Sequence, residues 1–423
     1  SASKQCQHAP RMAPIYHTTT QLLSLVSSLN CPFTYNTFKR NTTDDGLDMV
    51  AVTVNADKPE KSAATDKLRV MFTFGIHGRE YFASEVAYNF LSTLCDGSDR
   101  SAAILKNVAF TIVPVTNPSG RSRTDSDDAA GTRNVYLSEQ KCTDRRKNAN
   151  LVDLNRNFDV AWNLSAGSSG FESDDDYRGP GVMSEVESNT VSALAKEWQP
   201  DMYMDLHTGT LAMYMPWNYK DEPVSNPAVA ANMSKLLRHV VDAEDASGKS
   251  IWDGSAKSVP WRAPDAGLGA EISYIASGTV ADYMQTIGVK YTFIWEMYEA
   301  SDLAWRRNGA RLGLGAHIPR KLLPGEKLPR GGGVGLMDKA SRAQHAQQIS
   351  ARRRDTSGQA GALLPTGAQE ARISSTPSDW TNDECFAYFN PITDDGLAHW
   401  LGAWTEALMQ LNEQLIVVEG YGS

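Results

Sequence analysis

Three residues of the sequence combine types and spacing that could hold a metal ion. His77 and Glu80 stand three positions apart in HGRE, and His207 lies in DLHTG. Two imidazoles and one carboxylate occupy three positions of a tetrahedral zinc ion and leave one for water, which is the ligand set of a catalytic site. H-x-x-E alone is a weak motif, because a single histidine beside a strand is more often a hydrogen-bonded surface or core residue.

Both histidines follow predicted strands. The run KLRVMFTFGI at 67–76 is apolar and rich in β-branched and aromatic residues, and a segment with helical spacing follows it. Further strands are predicted at 107–115, 201–206 and 290–298. Apolar strands separated by helices predict an α/β fold with a mixed, largely parallel central sheet flanked by helices. Ligands bind at the carboxyl ends of such strands, where both histidines stand.

Helices are predicted on either side of these strands. Apolar periodicity indicates a helix at 226–241 and an amphipathic closing helix at 395–416. Ser184 followed by Glu187 has the spacing of a capping box, which predicts a helix that starts at Ser184.

Seven motifs together resemble the zinc carboxypeptidases of the pancreatic carboxypeptidase A/B type. They are HGRE (77–80), NPSGRSRTD (117–125), RKNANLVDLNRNFD (146–159), YRGPGVMSEVES (177–188), DLHTG (205–209), YIASGTVADY (274–283) and YTFIWE (291–296). The motifs follow the order of the family and span about residues 70–300. The resemblance implies the zinc carboxypeptidase fold and one zinc ion per chain.

The resemblance also implies roles at the metal. His77, Glu80 and His207 match the zinc ligands, and Asp153 matches the carboxylate that orients the His77 ring. Glu296 matches the general base, which takes a proton from the zinc-bound water and passes it to the departing amine. Taken alone, Glu296 could also be a carboxylate held at a strand end by an ion pair.

Substrate-binding roles follow from the same resemblance. Arg146 matches the arginine that polarises the scissile carbonyl and stabilises the oxyanion, and the adjacent Arg145 is the alternative. Asn155 and Arg156 match the pair that binds the terminal carboxylate, for which the planar guanidinium is well suited. Tyr274 matches the mobile tyrosine that closes over this carboxylate.

Specificity is less clearly marked in the sequence. In the resemblance, Ala281 matches the position at the floor of the pocket for the last side chain. Family members that prefer apolar residues carry a branched apolar side chain there, and those that prefer basic residues carry Asp. Ala281 predicts a preference for neutral apolar C-terminal residues. Asp282 is adjacent and would enter the pocket if the alignment moved by one position. Thr208-Gly209 departs from the Ser-Tyr that often follows the second zinc histidine.

One stretch differs from the rest of the chain in composition. Residues 306–379 have no Phe, Tyr or Trp and carry 13 Lys or Arg against 5 Asp or Glu. We therefore predict a catalytic domain at 1–305, a basic insertion at 306–379, and a C-terminal segment with a closing helix at 380–423 that rejoins the catalytic domain. A solvated loop is the simplest interpretation of the insertion.

Composition limits the class of protein. The net charge of -9 argues against a nucleic-acid partner, and no apolar run approaches the roughly 18 residues of a membrane span. The five cysteines, none in a C-x-x-C pair, suit two disulfides and one free thiol. Together with three possible glycosylation sequons, they favour a secreted or otherwise extracytoplasmic protein.

The sequence thus predicts a monomeric metallocarboxypeptidase that releases single amino acids from peptide or protein C-termini. A zinc amidohydrolase that removes acyl groups from amino acids is one alternative, although it would not need the Asn155-Arg156 pair here. A catalytically silent binding protein on the same fold is another. Six histidines outside the motifs are predicted to be structural or exposed: His8, His17, His239, His317, His345 and His399.

Overall fold

A computed structural model describes residues 16–57, 67–125, 142–164, 166–253, 262–299, 382–391 and 393–421. The chain divides into a unit of residues 1–308 and 375–423 and a second unit of residues 309–374. All described residues belong to the first unit. The domain boundaries predicted at 305–306 and 379–380 lie outside the described residues and stay predictions.

An eight-stranded mixed sheet forms the centre of this unit, in the order β1-β2-β4-β3-β5-β8-β6-β7. The four central strands β4, β3, β5 and β8 run parallel. The pairs β1–β2, β2–β4 and β6–β8 are antiparallel, and β7 is parallel to β6. The predicted mixed, largely parallel sheet is therefore confirmed. The strands are β1 Tyr35–Thr42, β2 Asp48–Val54, β3 Leu68–Phe74, β4 Val108–Val113, β5 Met202–His207, β6 Leu211–Met215, β7 Asp265–Leu268 and β8 Tyr291–Met297.

Helices cover both faces of the sheet because its central strands are buried on both sides. On β3, Val70 and Phe72 pack with the cluster that includes α2, α6 and α10, whereas Met71 packs with α5 and α8. The described helices are α1 Thr19–Ser27, α2 Tyr81–Leu94, α3 Asp99–Asn107, α4 Pro118–Ser122, α5 Val186–Trp198, α6 Pro227–Val241, α7 Gly269–Ile272, α8 Val280–Thr286, α9 Asn382–Phe389 and α10 Asp394–Val418. A 3-10 turn spans Leu154–Arg156.

The predicted closing helix is present as α10. Its buried side chains Trp400, Trp404 and Leu408 lie in the same core cluster as β3 and β8, and the Trp404 indole donates to the carbonyl of Met297 at 2.6 Å. The C-terminal segment is thus part of the same core as the sheet. Among the residues that the structure describes, we find no helix with the length and apolarity that a membrane crossing requires.

The capping box predicted at Ser184 is wrong. Helix α5 begins at Val186 after Glu185, and no side chain caps it. The Ser184 hydroxyl donates to the Glu185 carboxylate at 2.6 Å, while Glu187 accepts from the Asn148 amide at 3.1 Å instead of turning back to Ser184. The tertiary contact with Asn148 has replaced the local one.

Two disulfides are present, as the cysteine count predicted. Cys31 bonds to Cys95, and Cys142 bonds to Cys385 across 243 positions of the chain. The second bond ties the loop that leads to Arg146 to helix α9. Cys6 lies outside the described residues.

Candidate active site

The predicted metal ligands meet at the carboxyl ends of β3 and β5. His77 lies in the loop after β3, and Glu80 immediately precedes α2. His207 is the last residue of β5, and the parallel register pairs it with Glu296 on β8. Adjacent parallel strands therefore bring together residues that are up to 219 positions apart.

One ligand atom from each of His77, Glu80 and His207 lies within 4.8 Å of the others, and all three side chains are buried. Nδ1 of His77 is 2.7 Å from Oε1 of Glu80, and Nδ1 of His207 is 3.2 Å from Oε2. Burial would raise the pKa of Glu80, but the two imidazoles outweigh this and lower it below its usual value. An ionised carboxylate facing two imidazole nitrogens fits the chemistry of a zinc site.

A carboxylate holds the far nitrogen of each imidazole. Nε2 of His77 lies 3.1 Å from Asp153, as the resemblance implied, and Nε2 of His207 lies 2.5 Å from Asp205. Each contact leaves the Nδ1 atom of that ring directed at Glu80. Sequence reasoning missed Asp205, although its position two residues before His207 on one strand places both side chains on the same face.

The electrostatics of His207 follow from these carboxylates. Burial opposes the protonated ring, but Asp205 and Glu80 outweigh it and raise the pKa of His207 well above its usual value. Protonation of the ring is therefore favoured more than for an ordinary histidine. A metal ion that binds Nδ1 would compete with protonation of the ring.

Glu296 faces the same cavity from β8. Its Oε2 atom is buried and has no hydrogen-bond partner, while the side chain keeps some exposed surface. Burial raises the pKa of Glu296 to about 8, against the opposing effect of His207 and Arg146. The end of β8 therefore carries a carboxyl group with an unpartnered oxygen and a pKa near neutral pH. Both properties suit a general base.

Arg146 lies beside the predicted metal ligands. Its Nε and Nη2 atoms lie 2.8 and 2.7 Å from Oδ2 of Asp153, and its Nη1 is 3.3 Å from Nδ1 of His77. Burial alone would lower the pKa of Arg146, but the negative charges of Asp153 and Asp175 outweigh burial and raise it. Arg146 lines the cavity and Arg145 does not.

A short turn presents Asn155 and Arg156 to the cavity. Asp153 initiates this turn by accepting from the backbone N–H of Asn155 at 3.0 Å. Arg156 donates from Nη2 to the Tyr274 hydroxyl at 3.0 Å, and its Nε has no partner. Tyr274 is 56% exposed at the mouth of the cavity. The structure therefore brings three of the predicted binding residues, Asn155, Arg156 and Tyr274, together at the cavity.

The cavity differs from the sequence prediction at its floor. Ala281 is fully buried and does not line the cavity; it packs behind Tyr214 and Ile294, which do. Asp282 is also fully buried and outside the lining. Sequence reasoning missed Tyr214 and Asn218, which stand in a region without a matched motif.

A family model described as zinc carboxypeptidase matches residues 27–308.

The chain belongs to the zinc carboxypeptidase family.

Its similarity to individual relatives in this family is distant. It is 22% identical to carboxypeptidase O of Bos taurus over 245 residues, which cover 57% of this chain and 60% of that protein. It is 26% identical to carboxypeptidase B of Astacus astacus over 262 residues, or 61% and 79% of the two chains. The fold is similar to that of thrombin activatable fibrinolysis inhibitor, with a TM-score of 0.54 and 20% identity over 69% of this chain and 70% of that one.

The histidines outside the zinc carboxypeptidase motifs agree with their prediction where they are described. His17 lies 2.8 Å from Glu85, His239 is exposed on α6, and His399 packs beside Trp400. His8, His317 and His345 lie outside the described residues.

Proposed function

We propose that this protein is a zinc-dependent exopeptidase that hydrolyses the last peptide bond of peptides or proteins and releases single amino acids. One observation carries the proposal: His77 and His207 of the triad line one cavity with Glu296, Arg146 and Arg156, and Glu80 lies within ligand distance of both histidines. A metal triad, a base and a carboxylate clamp in one cavity are the parts that an exopeptidase requires.

His77, Glu80 and His207 would hold one zinc ion. Their fit rests on the convergent Nδ1 and carboxylate atoms and on the Asp153 and Asp205 contacts behind the rings. When bound, zinc lowers the pKa of water and polarises a carbonyl oxygen.

Glu296 would serve as the proton acceptor for the attacking water. Its unpartnered Oε2 faces the cavity, so no protein hydrogen bond must break before it accepts a proton. The same carboxyl group then donates that proton to the departing amine, which leaves Glu296 ionised for the next turnover.

Arg146 and Arg156 would bind two different groups of the substrate. Arg146 would stabilise the negative charge that develops on the carbonyl oxygen, and Asp153 holds its guanidinium in place at 2.7–2.8 Å. Arg156 would pair with the terminal carboxylate, assisted by Asn155, while Tyr274 closes from the exposed rim. This pairing would restrict cleavage to the end of a chain.

We further propose an extracytoplasmic location, because the two disulfides persist in oxidising compartments. A monomeric state and a preference for neutral apolar last residues remain proposals. Ile294 and Ala276 in the cavity lining support the apolar preference.

The test uses the full chain and an unmodified peptide followed by mass spectrometry. We expect stepwise loss of single residues from the C-terminus, which stops after chelation and returns when zinc is added. Cleavage inside the peptide, or undiminished cleavage in chelator, would contradict the proposal. Release of acyl groups from N-acylated amino acids without peptide cleavage would favour an amidohydrolase.

A further inference from the structure

A chain of buried side chains leads from the candidate metal site into the core beneath it. Tyr203, Asp205 and His207 alternate along β5 and therefore point to the same face of the sheet. The register places Thr73 of β3 beside Asp205, so the Thr73 hydroxyl lies on that face as well. All four side chains are at most 1% exposed. The two strands thus align two hydroxyls, a carboxylate and an imidazole away from solvent.

The direction of the hydrogen bonds in this chain follows from the chemistry of its members. Oδ1 of Asp205 lies 2.6 Å from the Thr73 hydroxyl, and a carboxylate can only accept, so Thr73 donates. A hydroxyl has a single proton, so the Tyr203 hydroxyl, 2.5 Å from that of Thr73, must be the donor in the second bond. Burial and the charge of Asp205 raise the pKa of Tyr203 well above its usual value, which keeps that proton in place. Each bond polarises the next, so Tyr203 strengthens the bond from Thr73 to Asp205.

Two groups compete for the outer nitrogen of His207. Oδ2 of Asp205 lies 2.5 Å from Nε2 and accepts a proton held there, which leaves a lone pair on Nδ1. The amide nitrogen of Asn155 lies 3.3 Å from the same Nε2 and would donate to it if it carried no proton. The Asn155 amide is held in this orientation because its oxygen accepts from the N–H of Val280 at 2.9 Å. Donation from Asn155 would move the ring proton to Nδ1, the atom that a metal ion has to reach.

We infer that the Thr73 and Tyr203 hydroxyls hold Asp205 on Nε2 of His207 and thereby select the ring tautomer that presents Nδ1 to a metal ion. Both are positioning residues, since neither lines the cavity. The inference rests on the proposed function, because it requires that His207 binds zinc through Nδ1. It gives a role in that function to two core side chains that stand outside the seven motifs.

Zinc affinity of the full chain, measured by competition with a chromogenic chelator, provides the first test. Thr73→Val keeps the size of the side chain and removes the hydroxyl, so zinc affinity should fall by about tenfold, as for other groups that orient a metal ligand. Thr73→Ser retains a hydroxyl and should bind zinc within about threefold of the wild type. The matched control is Thr111→Val on the neighbouring strand β4, because the Thr111 hydroxyl is equally buried and has no hydrogen-bond partner among the described residues. Equal affinities of the Thr73→Val and Thr111→Val proteins overturn the inference, and so does a Thr73→Ser protein as weak as Thr73→Val.

The outer hydroxyl is tested by a change that keeps the ring and the packing of the core. Tyr203→Phe should lower zinc affinity by about threefold, because the bond from Thr73 to Asp205 remains but loses its polarising partner. Tyr283→Phe is the matched control, since the Tyr283 hydroxyl is buried in the same core cluster but bonds to Ser192 at 2.6 Å. This pair of variants also decides the question if Thr73→Val does not fold. Equal zinc affinities of the two Phe variants overturn the inference.

A double variant separates orientation of the ligand from packing. Asp205→Ala leaves no carboxylate for the hydroxyls to hold, so adding Thr73→Val to it should change zinc affinity by less than about twofold. An equal loss on Thr73→Val in the presence and absence of Asp205 would mean that Thr73 acts on the site by another route, and it overturns the inference while the proposed function stands. A wild-type protein that binds no zinc contradicts the proposed function and the inference together.

Discussion

Replacing Asp205 by Asn tests whether the carboxylate behind His207 supports the metal site. Asn keeps the shape of the side chain and can still accept from the Thr73 hydroxyl, which lies 2.6 Å from Asp205 in the wild type. The charge that faces Nε2 of His207 at 2.5 Å is lost. Removing such an outer partner typically costs about 10–100-fold in metal affinity, or about 1.4–2.7 kcal/mol.

The size of this loss should depend on pH. Asp205 raises the pKa of His207, so zinc competes with a proton that the variant binds less strongly. The variant should therefore show its largest loss of zinc affinity at high pH, where protonation of His207 competes least with zinc. The difference should shrink toward pH 6, because the wild type must then displace more protons.

Zinc affinity is measured by competition with a chromogenic chelator at several pH values between 6 and 9. Asp265→Asn is the matched control, because this carboxylate is exposed and pairs only with Arg262 on the surface among the described ion pairs. Equal affinity of the Asp205→Asn protein and the wild type at high pH would refute the assignment of His207 as a ligand oriented by Asp205.

Three further predictions follow from single residues. Glu296→Gln should retain zinc while kcat falls by about two decades or more, as metal analysis and steady-state kinetics would show; near-normal turnover would assign the base elsewhere. Burial raises the pKa of Glu187 from its usual value to about 7. Between these two pKa values the folded protein keeps a proton that the unfolded chain releases, so the free energy of unfolding falls as the pH rises through this range. Glu187→Gln should therefore raise the free energy of unfolding in denaturant by about 1–3 kcal/mol at pH 8 and by little at pH 4, and equal gains at both would contradict this. Gly278 has φ 68°, and a Cβ there would lie 2.2 Å from the carbonyl oxygen of Arg156, so Gly278→Ala should cost about 2 kcal/mol or more in stability and raise KM, unlike Gly402→Ala.

The sequence could predict the four central strands of the sheet and the candidate site residues at their ends for a physical reason. Parallel strands buried on both faces are continuous apolar runs, and β3 and β8 stand out as such. His207 and Glu296 follow from those strands, because adjacent carboxyl ends must meet. The motif order then supplied the loop residues, such as Arg146 and Arg156.

Contacts between distant segments could not be read from the sequence. The resemblance placed Ala281 at the floor of the pocket, but Tyr214 from β6 packs against it, and the pairing of β6 with β8 follows no local pattern. The same holds for the Asn148 contact that displaced the Ser184 capping box. In both cases a tertiary partner outweighed a local preference.

Cleavage of a free peptide compared with its C-terminal amide tests the central claim most directly. Amidation removes the charge that Arg156 would bind and leaves a 2% exposed guanidinium, whose Nε has no partner in the structure, without a counter-ion. We expect kcat/KM for release of the last residue to fall by a factor equivalent to about 2–5 kcal/mol, with zinc content unchanged. Equal cleavage of the free and amidated peptides would contradict the account, since an enzyme that ignores the terminal charge does not bind it through Arg156.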